Sequence, residues 1–305
     1  MDKKKIGFIG LGIMGKPMAK NLIAAGYKLI VNDINKAAVD EITALGALAA
    51  PSAAGVAEAV GLIITMLPNS PHVTEVVCGK GGLLETIRPG STVIDMSSIA
   101  PATSQALAAK LREKGAEMLD APVSGGEPKA IDGTLAIMVG GNEKIFEDVK
   151  DILAVMGASV TYVGEIGSGN VTKLANQMIV ALNIAALSEA LVLAAKSGVD
   201  PKKVFDAIKG GLAGSAVMNA KAPMMLSRNF KPGFRVELHI KDLINALDTA
   251  HDNGVPVPLT AAALEILQAI KTGGSASEDH SAILKYYEKL ADIEIGIGTE
   301  EGGNA

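Results

Sequence analysis

Apolar residues in the first half of the chain come in short unbroken runs, and in the second half in longer stretches with a helical repeat. The short runs are 5–9 (KIGFI), 28–32, 61–67 (GLIITML), 92–96 (TVIDM), 117–121, 135–139 (LAIMV) and 160–163. They lack a polar alternate face, as strands do in a sheet covered on both sides, and helical segments separate them. That alternation predicts a doubly wound parallel sheet of the α/β class. From residue 164 the strand signals stop. Gly164, Gly167 and Gly169 lead into more than twenty residues without Gly or Pro, predicted as one helix over 169–195. At about 1.5 Å per residue it is roughly 40 Å long, a spine between two packed bodies. Further helices are expected at 201–209 behind a capping Asp200, and at 215–226, 239–252, 259–271 and 281–292. Two domains follow: 1–163, and an all-helical 164–293 for substrate and oligomerisation, joined by the long interdomain helix. Residues 294–305, glycine-rich and acidic, are expected to be a flexible tail.

The first strand runs directly into Gly10-Leu11-Gly12-Ile13-Met14-Gly15, a G-x-G-x-x-G turn. Alone the pattern is weak. Here a strand precedes it, a helix follows over 14–25, Gly26 stops that helix, and a second strand ends at Asp33. Together these make the dinucleotide fingerprint of a Rossmann-type domain. Gly10 allows the tight turn, Gly12 lets the backbone touch a pyrophosphate, Gly15 lets the helix press on the strand, and Asp33 takes the adenosine ribose hydroxyls. A carboxylate at Asp33, followed by Ile34 rather than an arginine, repels a 2′-phosphate and favours NAD over NADP.

In open α/β sheets ligands sit beyond the carboxyl ends of the strands. Met66-Leu67-Pro68-Asn69 and Asp95-Met96-Ser97-Ser98 occupy two such ends and are candidates to line the ribose and nicotinamide. The competing readings are a turn for Pro68 and Asn69, and a helix cap ahead of Pro101 for Ser97 and Ser98. Behind a third strand, Ser124-Gly125-Gly126 offers a hydroxyl and consecutive N–H groups, suited to a small carboxylate if it is more than a plain loop. On the spine, Lys173, Asn176 and Gln177 share one face near its start, with Asn170 a step earlier. Lys173 and Lys241 would each read as surface lysines if nothing lay upstream.

Composition narrows the partners. With 49% hydrophobic and 20% charged residues the chain is expected to be soluble and well packed; with 3% aromatics and a net charge of −5, stacking platforms are scarce and no block of basic residues stands out, so no nucleic-acid partner is expected. The polar residues along the spine make a poor membrane span, and glycines break the apolar run after the N-terminal lysines, so no secretory signal is read there. Cys78 is alone and the four histidines have no metal-ligand spacing: no disulfide and no metal are expected, in a cytoplasmic protein. The apolar spine and abundant Ala and Met suggest a homodimer or homotetramer.

FIGLGIMGKPMAKNL at 8–22, DAPVSGGEPKAIDGTL at 120–135, GSGNVTKLANQ at 167–177 and FRVELHIKDL at 234–243 resemble the β-hydroxyacid dehydrogenase family. LPNSPHV at 67–73, DMSSIAP at 95–101, Glu127-Pro128-Lys129 and DHSAILKYYEKLA are similar to a branch of it that acts on a short semialdehyde. The resemblance covers all but the tail. It implies hydride exchange between NAD and a small carboxylate-bearing aldehyde or hydroxy acid. Lys173 would be the catalytic lysine and Asn176 the substrate-binding amide, with Ser124, Gly125 and Gly126 as the carboxylate loop. Lys241 would reach cofactor and substrate, and Ser98 the nicotinamide end. Ile34 departs from the arginine that many relatives carry, which puts strong NADP use in doubt and leaves dual use open.

Overall fold

Every second residue of the central strands points to one face of the sheet and its neighbours to the other, and both sets are buried. Ile6, Phe8, Ile64 and Ile94 belong to one apolar cluster, Ile9, Ile63 and Val93 to another. The computed structural model in which this is seen describes residues 5–296. Among them are β1 (Lys5–Ile9), β2 (Lys28–Asn32), β3 (Leu48–Ala49), β4 (Leu62–Thr65), β5 (Thr92–Asp95), β6 (Glu117–Asp120), β7 (Val123–Ser124), β8 (Leu135–Gly140) and β9 (Gly157–Gly164). They form one sheet in the order β3-β2-β1-β4-β5-β6-β8-β7, with β9 paired to β8. The order reverses between β1 and β4, the switch point at which a doubly wound sheet opens a crevice.

The helices of this half are α1 (Gly15–Ala24), α2 (Lys36–Thr43), α3 (Ala53–Ala59), α4 (Ser70–Cys78), α5 (Pro101–Glu113), α6 (Gly126–Asp132) and α7 (Glu143–Leu153). Side-chain caps fix several starts: Asn35, Ser52, Asn69 and Asn142 each accept first-turn backbone N–H bonds. Met18 and Leu22 of α1 and Phe146 and Val149 of α7 pack in the first cluster, while Val56 of α3, Val73 of α4 and Leu107 of α5 pack in the second. Covering on both sides is why the strands read as unbroken apolar runs.

The sheet departs from the parallel expectation at one end. Strands β1 to β6 pair in parallel, but β8 runs antiparallel to both β6 and β7, and β9 is parallel to β8. Short apolar runs carry no sign of direction, and the two-residue strands β3 and β7 are too short to leave a pattern.

The chain divides into two compact units after Leu174. Helix α8 (Ser168–Lys196) begins in the first and continues in the second, where α9 (Pro201–Ile208), α10 (Ala216–Leu226), α11 (Val236–Asp252), α12 (Pro258–Ile270) and α13 (Leu284–Ala291) follow. Helix α8 is long and apolar enough to cross a membrane by length and composition alone, as core helices of globular proteins also are, and 44% of its most apolar stretch is buried. The second unit packs around Ile184, Leu187, Leu191, Met225, Leu243 and Leu267. A 3-10 turn, His280–Ile283, precedes α13 where a single helix was expected, because the Asp279 side chain caps Ser281. Of the expected tail, Glu294–Gly296 are described: Ile295 is buried, its N–H donates to Glu288 Oε1 at 2.7 Å and its carbonyl accepts from Arg228 Nη1 at 2.7 Å. Residues 297–305 lie outside the described residues.

Candidate active site

The turn between β1 and α1 separates what the protein needs from what it leaves open. Gly10 has φ +97°, and a Cβ there would run into the carbonyl of Met66. A Cβ on Gly15 would overlap the carbonyl oxygen of Gly10. At Gly12 nothing lies within 4 Å of where a Cβ would stand. The outer two glycines are demanded by packing, the middle one by nothing among the described residues. Together with the N–H groups opening α1, that space is a cradle for a pyrophosphate, and the residues present fit a dinucleotide. Leu11 is buried beneath the turn and its N–H donates to Asp33 Oδ2 at 2.5 Å, while Asn35 N donates to Oδ1 at 2.6 Å. Each carboxylate oxygen retains a lone pair for a ribose hydroxyl. Ile34 is fully exposed, Ile13 about half, and Met14 is half-buried, so the residue that follows Asp33 presents an apolar side chain, with Lys36 the next exposed cation along the chain.

Beyond β4 and β5 the two cofactor-lining candidates are tied together. Asp95, fully buried, accepts on Oδ1 from Thr65 Oγ1 at 2.7 Å, Ser97 Oγ at 2.5 Å and Ser97 N at 3.2 Å. Ser97 Oγ in turn accepts from Leu67 N at 2.8 Å. Met66 is held by its N–H on the Ile9 carbonyl at 2.9 Å. Asn69 caps α4, and Pro68 stands exposed ahead of it. The helix-cap reading of Ser97 and Ser98 is overturned: the N-cap of α5 is Ala100, with no side-chain bond, because the Ser97 hydroxyl is committed to Asp95 and Leu67. Ser98 is half-buried in the same segment.

Ser124 is the last residue of β7, paired with Ala136 of β8, rather than a loop residue. Gly125 and Gly126 follow with φ +140° and +71°, and Gly126 opens α6. The hydroxyl and the glycine N–H groups thus sit at a strand–helix junction. A Cβ on Gly125 would press into the Lys129 side chain, so the conformation and the crowding both require glycine.

At the start of α8 the Asp120 carboxylate accepts from Gly167 N at 2.8 Å and Asn170 N at 2.7 Å. Asn170, fully buried, accepts from Ile99 N at 3.0 Å and donates to Ser104 Oγ at 3.1 Å. One turn on, Lys173 is 6% exposed, not the surface lysine its residue type suggests. Burial pushes the Asp120 carboxyl up to about 6 against the pull of the Asn170 and Gly167 N–H groups, with the Asp95 charge adding to the rise.

In the second unit Asn176 donates to Gln177 Oε1 at 2.8 Å, and Gln177 Nε2 donates to Asp242 Oδ2 at 2.7 Å. Lys241 is not an exposed helical lysine: its side chain is 15% exposed and its Nζ lies 2.9 Å from Asp242 Oδ1. His239 Nε2 is 3.1 Å from the Gln177 carbonyl, which can only accept, so that nitrogen carries the proton. His239 Nδ1 then accepts from His280 Nδ1 at 2.8 Å. Gln177, Asp242, His239 and His280 hold the two side chains that the sequence singled out here; of the four, the sequence had placed Gln177 on the polar face of the spine and had given the other three no role. Asp95 was named only within a cofactor-lining segment, and Asp120 was given no role. The available signal was an aspartate closing an otherwise apolar strand, TVID and EMLD, where a charge is out of place.

Residues 5–164 match the NAD binding domain of 6-phosphogluconate dehydrogenase, and 167–287 the NAD-binding domain of NADP-dependent 3-hydroxyisobutyrate dehydrogenase. The 2-hydroxy-3-oxopropionate reductase of Escherichia coli is 45% identical over 95% of this chain and 99% of its own. The 2-(hydroxymethyl)glutarate dehydrogenase of Eubacterium barkeri is 39% identical over 98% and 100%. Among solved structures, the 3-hydroxyisobutyrate dehydrogenase of Mycobacterium tuberculosis with L-serine superposes with a TM-score of 0.85 at 33% identity, over 92% of this chain and 98% of that one.

Proposed function

The chain belongs to the β-hydroxyacid dehydrogenase family, NAD(P)-dependent oxidoreductases acting on a CH–OH group, and we propose that within it this protein reduces tartronate semialdehyde (2-hydroxy-3-oxopropionate) to D-glycerate with NADH. The observation that carries the reading is a buried lysine at the anchored start of α8, in a chain 45% identical to a 2-hydroxy-3-oxopropionate reductase.

A bound nicotinamide supplies the hydride. The protein's part is to place the aldehyde and handle the proton. Lys173 donates from Nζ to the carbonyl oxygen as negative charge develops there, and in the reverse direction its neutral amine accepts that proton. Asn176, whose amide keeps one N–H beyond its bond to Gln177, orients the reacting oxygen. Ser124 and the N–H groups of Gly125 and Gly126 take the substrate carboxylate and so select the face presented for reduction. Gly10, Leu11, Gly12, Ile13, Met14, Gly15, Asp33, Met66, Leu67, Pro68 and Ser98 bind the dinucleotide, with Lys241 a second cation for cofactor and substrate. NAD is favoured over NADP because Asp33 is followed by the exposed, uncharged Ile34. Exposed apolar residues along α8, Val171, Ile179 and Leu193, support a homodimer or homotetramer.

Replacement of Lys173 by Ala is expected to lower kcat by about two to four decades while NADH binding stays within about threefold, the usual worth of a positioned general acid. Turnover close to wild type would overturn the assignment. The second reading is a 3-hydroxyisobutyrate dehydrogenase, favoured by the likeness to the M. tuberculosis structure; succinic semialdehyde and glyoxylate complete the panel of aldehydes to compare.

A further inference from the structure

Two aspartates that the reaction as derived above does not use lie side by side in the sheet. Asp95 and Asp120 are register partners at the carboxyl ends of the adjacent parallel strands β5 and β6, and both are fully buried. Registered residues of neighbouring strands project to the same face, so two like charges share one dry region. For stability alone this is a poor choice, since each buried carboxylate carries a desolvation cost and the two repel. A neutral Asn or Ser at position 120 would also accept an N–H.

The surroundings are shaped to keep the carboxylate. A Cβ on Gly140 would stand 2.5 Å from Asp120 Oδ1, and a Cβ on Gly169 would overlap the Asp120 carbonyl and come within 2.9 Å of its Oδ2. Two side chains are thus given up around a single acid. What it holds is specific. Gly167 precedes α8 and Asn170 is its third residue, the two positions that a capping box satisfies with two separate side chains. Here one carboxylate from another element satisfies both, at the helix end where the backbone dipole favours negative charge. Asn170 and Lys173 stand three apart, on one stripe of the helix, so the anchored face is the one that carries the lysine. Asp95 performs the matching task next door: through Thr65, Ser97 and Leu67 it fixes the segments after β4 and β5.

We propose that Asp95 and Asp120 are paired positioning residues, Asp120 setting the start of α8 and thereby the Lys173 ammonium, Asp95 setting the Met66–Leu67 and Ser97–Ser98 segments against the cofactor. The proposal rests on the reading of Lys173 as the proton donor, and its test separates the two. Asp120→Asn is nearly isosteric and turns one acceptor into an NH2 that confronts a backbone N–H. It is expected to lower kcat about 10- to 100-fold with the KM for NADH within about threefold, and to speed amide hydrogen exchange over residues 167–173 while other helices keep their protection. Asp95→Asn keeps an acceptor at the same place. It is expected to act mainly on the KM for NADH, by about 3- to 10-fold, with exchange at 167–173 unchanged.

Should Asp120→Asn not accumulate as folded protein, Asn170→Ala cuts the ties to Ile99 and Ser104 and is expected to give the same kcat-selective, locally faster pattern at smaller size. Unchanged kcat and exchange in Asp120→Asn, or in Asn170→Ala where that is the variant measured, overturns the positioning role. So does a kcat loss matched by an equal loss of NADH binding and of folded fraction. If Lys173→Ala retains turnover while Asp120→Asn still frees residues 167–173, it is the proton-donor reading that fails, not the anchoring.

Discussion

Asp120 in the first unit and Asp279 in the second are both buried carboxylates that accept backbone N–H bonds, yet their titration is pushed in opposite directions. Burial raises Asp120 to about 6, its two N–H partners do not offset that, and the neighbouring charge is another aspartate, Asp95. At Asp279 burial also works upward, but the charges of His280 and Lys221 and the N–H of Ser281 overcome it and hold the group near 2. Lys221 Nζ lies 2.9 and 3.0 Å from its two oxygens, and Gly233, Phe234 and Ser281 donate at 3.0 Å each. Asp279 is a satisfied structural hub. Asp120 has no cation to offset its burial and ties the start of α8, the helix that carries Lys173, so on the proposed reading of Lys173 it serves the reaction rather than the fold.

The comparison breaks most visibly on removing each charge. Asp279→Asn leaves Lys221 with no counter-charge on a side chain only 14% exposed, and is expected to lower unfolding free energy by about 3–5 kcal/mol with turnover per folded molecule retained. Urea titration followed by circular dichroism measures it. Asp120→Asn is expected to do the reverse, losing turnover with little loss of stability at neutral pH.

The pH dependence of stability sharpens the contrast. The folded pKa of Asp120 lies above the unfolded value of about 4, so its contribution is fully present below pH 4 and lost as pH rises through 6, about 3 kcal/mol in all. The folded pKa of Asp279 lies below the unfolded value, so its contribution is present above pH 4 and lost as pH falls toward 2, about 2 kcal/mol. Stability curves of the two variants minus wild type are expected to slope in opposite senses in these windows. Parallel curves would remove the distinction.

The same division between fold and reaction runs through the glycine turn. Gly15→Ala meets the Gly10 carbonyl and is expected to destabilise the protein by about 1–3 kcal/mol, seen as a lower melting temperature. Gly12→Ala meets nothing among the described residues and is expected to melt with the wild type while weakening NADH about tenfold or more in fluorescence titration. The smallest effect is expected of Ile34→Arg: a few-fold shift in kcat/KM toward NADPH.

Legibility in the sequence followed the distance over which each feature is specified. Gly10 to Gly15, Asp33 and the long helix were readable because turn, helix and acid lie within one βαβ unit or one run of residues. The direction of β8 was not, since it depends on partners in β6 and β7, and neither was β3, two residues long. Asp120 reads as the end of an apolar strand until Gly167 and Asn170, some fifty residues later, are brought to it. His239 and His280, 41 residues apart, have no spacing that announces their contact. Lys173 was readable as a candidate by its place on the spine and its motif, but its burial belongs to packing that no local pattern states.

The most direct test of the central claim is NADH oxidation by the purified full chain across a set of short semialdehydes, each at several concentrations. The account predicts that kcat/KM is highest for tartronate semialdehyde, about tenfold or more above the semialdehyde of 3-hydroxyisobutyrate, the discrimination available when a site bonds a substrate hydroxyl that its rival lacks. Equal or faster reduction of the methyl-bearing aldehyde, or no NADH oxidation with any of them, would contradict it.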